Sequence, residues 1–210
     1  MNRMNRSKIR LAASAAGLAA FGLITIPSIA TADNAKNTVT ASLGQLNHSG
    51  VSGTATVEVT GNKLDANFTA TGLLAGSPHA AHIHFGEQAR HECPPQSAAG
   101  PDDHLTTGEG LPFYGPVVVS FTTSGDTSPA SVLAIDRYST APNGTIVYSR
   151  DNIKTQRSVA KAIEGGEGVV VIHGVDYNNN GVYDFAAGNS DLDPTLPAEA
   201  TDLAACGVLR

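Results

Sequence analysis

The sequence lacks the short motifs that mark several common enzyme classes. It contains no Walker loop, no dinucleotide-binding fingerprint, no G-x-S-x-G elbow and no internal repeat. Their absence removes the usual sequence support for nucleotide binding, for dinucleotide-dependent redox chemistry and for an α/β-hydrolase. Any chemistry in this chain must therefore come from other residues.

Long hydrophobic runs are absent too, except for one near the N-terminus. Four basic residues between Arg3 and Arg10 precede an apolar run from Leu11 to about Ile29, and Ala30-Thr31-Ala32 supplies a small-x-small cleavage pattern. This order is typical of a secretory signal peptide. We expect residues 1–32 to be removed and residues 33–210 to form one exported, extracellular domain with no membrane span.

Basic residues are scarce in the predicted mature chain. Without residues 1–32 it has nine basic residues against nineteen acidic ones, a formal net charge of −10. Contacts with phosphates dominate nucleic-acid binding, and anionic membranes attract cations in the same way, so both partners would be repelled. We therefore expect no nucleic-acid partner and no binding to an anionic membrane.

Cysteine is equally scarce, since the chain contains only Cys93 and Cys206. In an exported chain, two cysteines are most simply interpreted as one disulfide. Such a bond would close a loop of more than 100 residues. In the chain-entropy model this stabilises the fold by roughly 4–5 kcal/mol.

Most of the mature sequence has the pattern of β-strands. Residues 54–60 and 64–70 flank Gly61-Asn62, which is a hairpin signal. Residues 169–174 form a continuous apolar run, as expected of a buried strand. Further strands are predicted at residues 79–85, 117–122 and 205–209, one short helix near 158–164, and long loops at 86–112 and 177–203. This pattern predicts an all-β fold, a Greek-key barrel or sandwich of about eight antiparallel strands.

Histidines on these strands are the main candidates for chemistry. His82 and His84 lie two residues apart in His79-Ala-Ala-His82-Ile-His84, so their side chains share one face of a strand. Two imidazoles fixed side by side form half of a metal site, although two solvated strand histidines would have the same spacing. His173 ends the most hydrophobic strand, where a histidine is costly unless it is hydrogen-bonded in the core or bound to a metal.

The other histidines lie outside the predicted strands. His91 and His104 are in the long loop, from which either one could close a metal site, although a single loop histidine is more often solvated. His48 lies in the polar turn Asn-His-Ser-Gly and is interpreted as solvated surface.

The histidines and cysteines together carry a family resemblance. The strand pattern H-x-x-H-x-H of His79, His82 and His84 is followed by a cysteine nine residues further on, and Val170-Val-Ile-His173 and Ala204-Ala-Cys206-Gly-Val208 occur downstream in the same order. Over roughly residues 38–210 the chain resembles the copper/zinc superoxide dismutase superfamily, as a divergent member.

This resemblance implies a copper site and a disulfide. It implies copper (Cu²⁺/Cu⁺) bound by His82, His84 and His173, and a Cys93–Cys206 bond between the long loop and the last strand. His79 would brace the ligand strand without binding the metal. His104 is the candidate for the fourth ligand and for the proton path in catalysis, with His91 as the alternative; zinc could occupy the same imidazoles.

Two departures from the family pattern are visible. The family's zinc site needs three histidines and an aspartate in the long loop, and only His91 and His104 are available there, so we expect no zinc site. The catalytic arginine of the family corresponds to Leu203, and its loss should weaken attraction of the superoxide anion. Arg90 or Arg210 could substitute for it in space.

The resemblance implies a secreted, copper-dependent enzyme that disproportionates superoxide or acts on another small oxidant. It does not specify the oligomeric state. Residues 80–86 and 115–119 also resemble the CHRD domain, an extracellular β-domain. The alternative is therefore a non-catalytic extracellular copper-binding or CHRD-like domain. A third reading is a disulfide-linked barrel without a transition metal.

A second candidate metal site follows His173 in the sequence. Asp176, Asn178, Asn180 and Asp184 occupy positions 1, 3, 5 and 9 of a segment with Gly181 at position 6, as at the start of an EF-hand calcium loop. Position 12, where the loop needs a glutamate, is Ala187. An asparagine-rich turn explains the same residues equally well, so Ca²⁺ is one of two interpretations.

Overall fold

The computed structural model describes residues 36–210, and the predicted signal peptide at residues 1–32 lies outside them. The eight strands, β1 to β8 in chain order, are Asn37–Gln45, Ser52–Thr60, Lys63–Thr71, Ala81–His84, Val117–Ser120, Thr145–Lys154, Val169–His173 and Leu203–Val208. The three α-helices, α1 to α3, are Thr107–Tyr114, Arg157–Glu164 and Ala198–Thr201. The predicted all-β fold of about eight strands is confirmed.

All strand pairs are antiparallel, in the order β5-β4-β7-β8-β1-β2-β3-β6. The predicted hairpin is present, with Thr60 opposite Lys63 and Gly61 at a φ of 63°. The connections from β3 to β4 and from β6 to β7 join strands that are not neighbours, which is the property of Greek-key topologies.

The sheet curls until its two edge strands approach each other. Phe68 on β3, Tyr148 on β6 and Phe121, just after β5, pack against one another with ring centroids 5.1–5.5 Å apart. The Tyr148 hydroxyl donates to the carbonyl oxygen of Thr122 at 3.2 Å, and a guanidinium nitrogen of Arg150 donates to the same oxygen at 2.6 Å. Side chains therefore link the two edges where backbone pairing ends.

The curled sheet has an inner and an outer face, and β4 and β7 contribute to both. Ala81 and Ile83 on β4 point inward, into the main hydrophobic core, as do Val170 and Ile172 on β7. The alternating residues of these strands therefore lie on the outer face. Because β4 and β7 are buried on both faces, another part of the chain must cover their outer face.

The long segment between β4 and β5 supplies this cover. Cys93 in this segment is bonded to Cys206 on β8, across 113 residues of sequence. Leu105 and Tyr114 from the segment pack with Val169, Val171 and Leu203 on the outer face. The predicted disulfide is therefore present, and it fastens the cover to the barrel wall.

The helix predicted near 158–164 is present as α2, and two further short helices, α1 and α3, form in segments predicted to be loops. The sequence of α1 contains Gly108, Gly110 and Pro112, all poor helix formers. A capping box compensates, since the Thr106 hydroxyl accepts from the amide of Glu109 while the Glu109 carboxylate accepts from the amide of Thr106. Within residues 36–210, no helix has the length and apolar character needed to cross a membrane.

Candidate metal centre

Three histidines meet on the outer face of the barrel, beneath the cover. His82 and His84 alternate with the core residues of β4, and His82 is paired with Val171 on the neighbouring strand β7. His173, two residues beyond Val171, is held next to β4 by a 2.9 Å hydrogen bond from its amide to the carbonyl oxygen of Ala80. The pairing register of the adjacent strands β4 and β7 thus sets the positions of all three side chains.

The geometry of the three rings is compact. One nitrogen from each ring lies within 4.8 Å of the corresponding nitrogens of the other two. All three side chains are buried, with at most 3% of each residue exposed. The interpretation of His82 and His84 as solvated strand histidines is therefore wrong.

The second nitrogen of each ring is fixed by a hydrogen bond. Nδ1 of His84 donates to the carbonyl oxygen of Gly115 at 2.8 Å, and Nδ1 of His173 donates to that of Thr201 at 2.7 Å. Nε2 of His82 lies 2.7 Å from the Tyr138 hydroxyl, which donates its own hydrogen to the carbonyl oxygen of Ser131. Because these partners accept, each ring carries its hydrogen on the bonded nitrogen.

The remaining nitrogens are Nδ1 of His82, Nε2 of His84 and Nε2 of His173, and none of the three has a hydrogen-bond partner. Burial lowers the pKa of His84 to about 3 and that of His173 to about 4, and it also lowers the pKa of His82. The rings are therefore neutral at physiological pH, with three lone pairs directed to a common place. Three neutral, converging imidazoles fit one transition-metal ion.

The two loop histidines do not lie with this group. His104 stacks on Tyr177 with ring centroids 3.9 Å apart. His91 stacks on Phe85, and its Nε2 bonds to the carbonyl oxygen of Gly86 at 2.8 Å. Of the residues described, only His82, His84 and His173 form a group of metal-ligating side chains. The role of His104 as fourth ligand and in catalysis stays a prediction.

His79 is buried beside the site and contacts the end of β7. Its Nδ1 lies 2.8 Å from the carbonyl oxygen of His173, and the Tyr183 hydroxyl lies 3.1 Å from the same nitrogen. The ring therefore holds the backbone of a metal-facing residue.

A buried leucine, Leu203, occupies the position at which the family resemblance would place an arginine. Leu203 is fully buried in the outer-face cluster, and its carbonyl oxygen accepts from the Asn47 amide at 3.0 Å. Arg90 lies over the ring of Phe113, 4.3 Å from its centroid. Arg210 pairs through its backbone with Thr40 on β1.

A cavity of about 430 Å³ opens above the three histidines. Its walls come from α1, from the segment between β5 and β6, and from the loop before α3. The residues that line it, besides the three histidines, are Ala80, Thr107, Leu111, Pro116, Val117, Pro129, Val132, Leu133, Ile135, Leu192, Asp193, Leu196, Ala200 and Thr201. We call this cavity the apolar chamber.

The predicted calcium segment forms an exposed loop closed by its own hydrogen bonds. The Asp176 carboxylate accepts from the amides of Asn180 and Gly181, at 3.2 and 2.8 Å. The Asp184 carboxylate accepts from the side-chain amides of Asn178 and Asn180, at 3.2 and 2.5 Å. The oxygens that would bind Ca²⁺ are engaged in an asparagine-rich turn, so this geometry adds nothing to the calcium interpretation.

Three partners of the histidine rings could not be found from sequence. Gly115 and Thr201 act through backbone carbonyls, which any residue carries. Tyr138 lies 56 positions from His82, in a segment without regular strand pattern, and nothing in its surroundings marks it.

The chain is similar to a solved protein structure in fold, but its sequence matches no known family. No known protein-family model matches this chain, and no curated protein matches it. Among solved structures, the chain is similar to Candida albicans superoxide dismutase 5 with Cu(II), at 17% sequence identity. The match covers 83% of this chain and 92% of that chain, with a TM-score of 0.39. Fold and site define this chain as an all-β protein with a buried three-histidine group that fits one metal ion.

Proposed function

We propose that this protein binds one copper ion through His82, His84 and His173 and disproportionates superoxide. The observation that carries the proposal is the set of three buried ring nitrogens without hydrogen-bond partners. An unpaired buried polar atom costs about 1–3 kcal/mol, and three of them within 4.8 Å are explained by a shared metal ion.

Imidazole-only coordination suits copper, although zinc can use the same ligands. A bound copper ion supplies the one-electron redox couple that converts two superoxide ions and two protons into O₂ and H₂O₂. The protein's own contribution is to hold the rings. The carbonyls of Gly115 and Thr201 and the Tyr138 hydroxyl fix the ring hydrogens, so the metal-facing nitrogens stay unprotonated.

The test is superoxide turnover by the chain from residue 33 onward, loaded with one equivalent of copper. The comparison is a His82→Ala/His84→Ala variant, and the matched control is His48→Ala, which removes a histidine in an exposed turn. We expect rapid turnover in the wild type and in the control, and none in the double variant. Unchanged copper affinity in the double variant would refute the assignment of the site.

The second candidate is copper binding without turnover, as in a non-catalytic extracellular copper-binding or CHRD-like domain. The buried Leu203 favours it, because a cation at this position would attract the superoxide anion. Tight copper binding with turnover no faster than that of the double variant would establish this function.

We also infer that the protein works outside the cell. The Cys93–Cys206 disulfide is of a kind that persists in oxidising compartments. The N-terminal sequence of the exported protein tests this inference, and we expect it to begin at Asp33.

A further inference from the structure

The size and lining of the apolar chamber differ from those expected of a site for a small anion. Nine of its lining residues are leucine, isoleucine, valine or proline, and they form a wall around a floor of three histidine rings. Its volume of about 430 Å³ is in the range of pockets that bind small organic molecules, roughly 300–1,000 Å³. Superoxide and its products would leave most of this volume unused.

The rim of the chamber exposes large apolar side chains to solvent. Leu111, Leu133, Ile135 and Leu192 are between 40% and 47% exposed. In the described part of the chain, seven large hydrophobic residues are exposed to this degree, and four of the seven line this one opening. Clustered exposed apolar surface of this kind marks a binding site more often than chance exposure does.

The polar groups of the chamber are almost all paired within the protein. The Thr107 hydroxyl donates to the carbonyl oxygen of Thr201 at 3.0 Å, and the Thr201 hydroxyl donates to Ser190 at 2.7 Å. The histidine N–H groups are also engaged. The polar groups that remain are the three ring nitrogens without partners and the Asp193 carboxylate, one oxygen of which accepts from the amide and the hydroxyl of Thr195.

The charge of the chamber has one sign. Within residues 36–210, no lysine or arginine lines it, and Asp193 is its one ionisable wall residue besides the histidines. A bound anion would meet this carboxylate with no lysine or arginine in the wall to offset the repulsion, so the metal would be its one cationic partner there. An uncharged molecule meets no such cost.

We propose that the apolar chamber binds an uncharged, largely apolar small molecule, with one lone-pair atom directed to the metal held by His82, His84 and His173. The proposal rests on the proposed metal site, but it does not require superoxide turnover. The apolar body of the ligand would lie against the leucine and isoleucine rim, and its single donor atom would face the three histidine rings.

The experiment compares 4-phenylimidazole with imidazole, which share a donor atom and differ by a phenyl ring. Binding to the copper-loaded protein is followed at pH 8 by visible absorption and electron paramagnetic resonance. Burying the ring should tighten binding about ten- to hundredfold. Adding a carboxylate to the phenyl ring should remove most of this gain. Equal affinity for the two imidazoles, or tighter binding of the anionic probe, would overturn the proposal.

Rim variants locate the binding. Ile135→Gln/Leu192→Gln should reduce the advantage of 4-phenylimidazole about tenfold and leave imidazole binding unchanged. The control is Val147→Gln/Val182→Gln, at two exposed valines that do not line the chamber, and it should keep the full advantage. If the rim variants have no effect, the ring is bound elsewhere and the proposal is wrong.

A titration of the metal-free protein separates this proposal from the metal site. NMR shifts of the methyl groups of Val117, Val132 and Leu133 report on the chamber without any metal. Shifts caused by 4-phenylimidazole in a protein that fails to bind copper would support the chamber and refute the metal site. A dimer that is broken by the rim variants, with no probe binding, would assign the apolar rim to a second copy of the chain and overturn the small-molecule proposal.

Discussion

Each metal-facing nitrogen is available because the other nitrogen of the same ring is occupied. His84 and His173 use backbone carbonyls for this purpose, whereas His82 uses the side-chain hydroxyl of Tyr138. Carbonyl partners survive any side-chain substitution, so Tyr138 is the partner that a mutation can remove. This makes His82 the ring whose orientation is most easily tested.

We expect Tyr138→Phe to weaken copper binding about 10–100-fold, because such outer partners set the tautomer and orientation of a ligand. The measurement is copper affinity by competition with a chelator. Tyr148→Phe is the matched control, since the Tyr148 hydroxyl also donates to a backbone carbonyl, that of Thr122, at 3.2 Å. Equal affinities in the two variants would show that Tyr138 does not position His82.

The metal-free protein should lose stability as the pH falls from 7 to 5. Burial holds the pKa of His84 near 3 and that of His173 near 4, below the value of about 6.5 in the unfolded chain. Between these values the unfolded chain binds protons that the folded protein does not, so acid favours unfolding. Each of these histidines should lower the free energy of unfolding by about 2 kcal/mol over this range.

One buried carboxyl, that of Asp202, has the opposite effect on stability as the pH falls. Burial raises the pKa of Asp202 to about 7, so its protonation as the pH falls stabilises the fold by about as much as one histidine destabilises it. Urea unfolding between pH 5 and 7 measures the net effect, which should be a loss. Asp202→Asn should make the pH dependence steeper. A flat profile in the metal-free wild type would contradict the assignment of neutral, buried histidines.

At the scale of elements, the segment between β4 and β5 covers the outer face and depends on its disulfide. Replacing both Cys93 and Cys206 by alanine should lower the free energy of unfolding by about 4–5 kcal/mol, because the bond spans 113 residues. Denaturant unfolding of the double variant measures this. Reduction of the wild-type protein should reproduce the loss, and a change below about 1 kcal/mol would show that packing alone holds the cover.

The histidine-bearing strands β4 and β7 could be predicted from sequence because their residues are strongly patterned. In β4, histidines alternate with Ala81 and Ile83, and β7 is a continuous apolar run. The same patterns indicated which side chains share a face. The three histidines come together only because β4 pairs with β7. The strand patterns alone do not predict this pairing, and only the resemblance to a known family suggested it.

Two other strands have a sequence pattern too weak to predict them. β1 and β6 alternate buried and exposed residues, but threonine, serine and charged residues dilute the signal. The helix α1 was missed for a different reason, because its glycines and proline suggest a loop. The capping box of Thr106 and Glu109 is the sequence signal that could have revealed it.

At the scale of the whole molecule, charge and site geometry oppose the approach of an anion. The chain from residue 33 onward carries a formal net charge of −10. The chamber adds Asp193 at its wall, where side-chain and backbone hydrogen bonds from Thr195 lower the pKa of the carboxyl and keep it ionised. A dismutase built in this way would capture superoxide without electrostatic attraction.

We therefore expect the rate constant for superoxide turnover, kcat/KM, to rise as salt is added. The Debye length falls from about 30 Å at 0.01 M to about 8 Å at 0.15 M, so salt screens the repulsion between like charges. Stopped-flow measurement of superoxide decay over this range should show an increase of roughly twofold or more. Asp193→Lys should raise the rate constant at low salt and weaken its dependence on salt, whereas Asp65→Lys, at a position outside the chamber lining, should do so less. A rate constant that falls with salt in the wild type would instead mean that a cation of the protein lies near the opening and attracts superoxide.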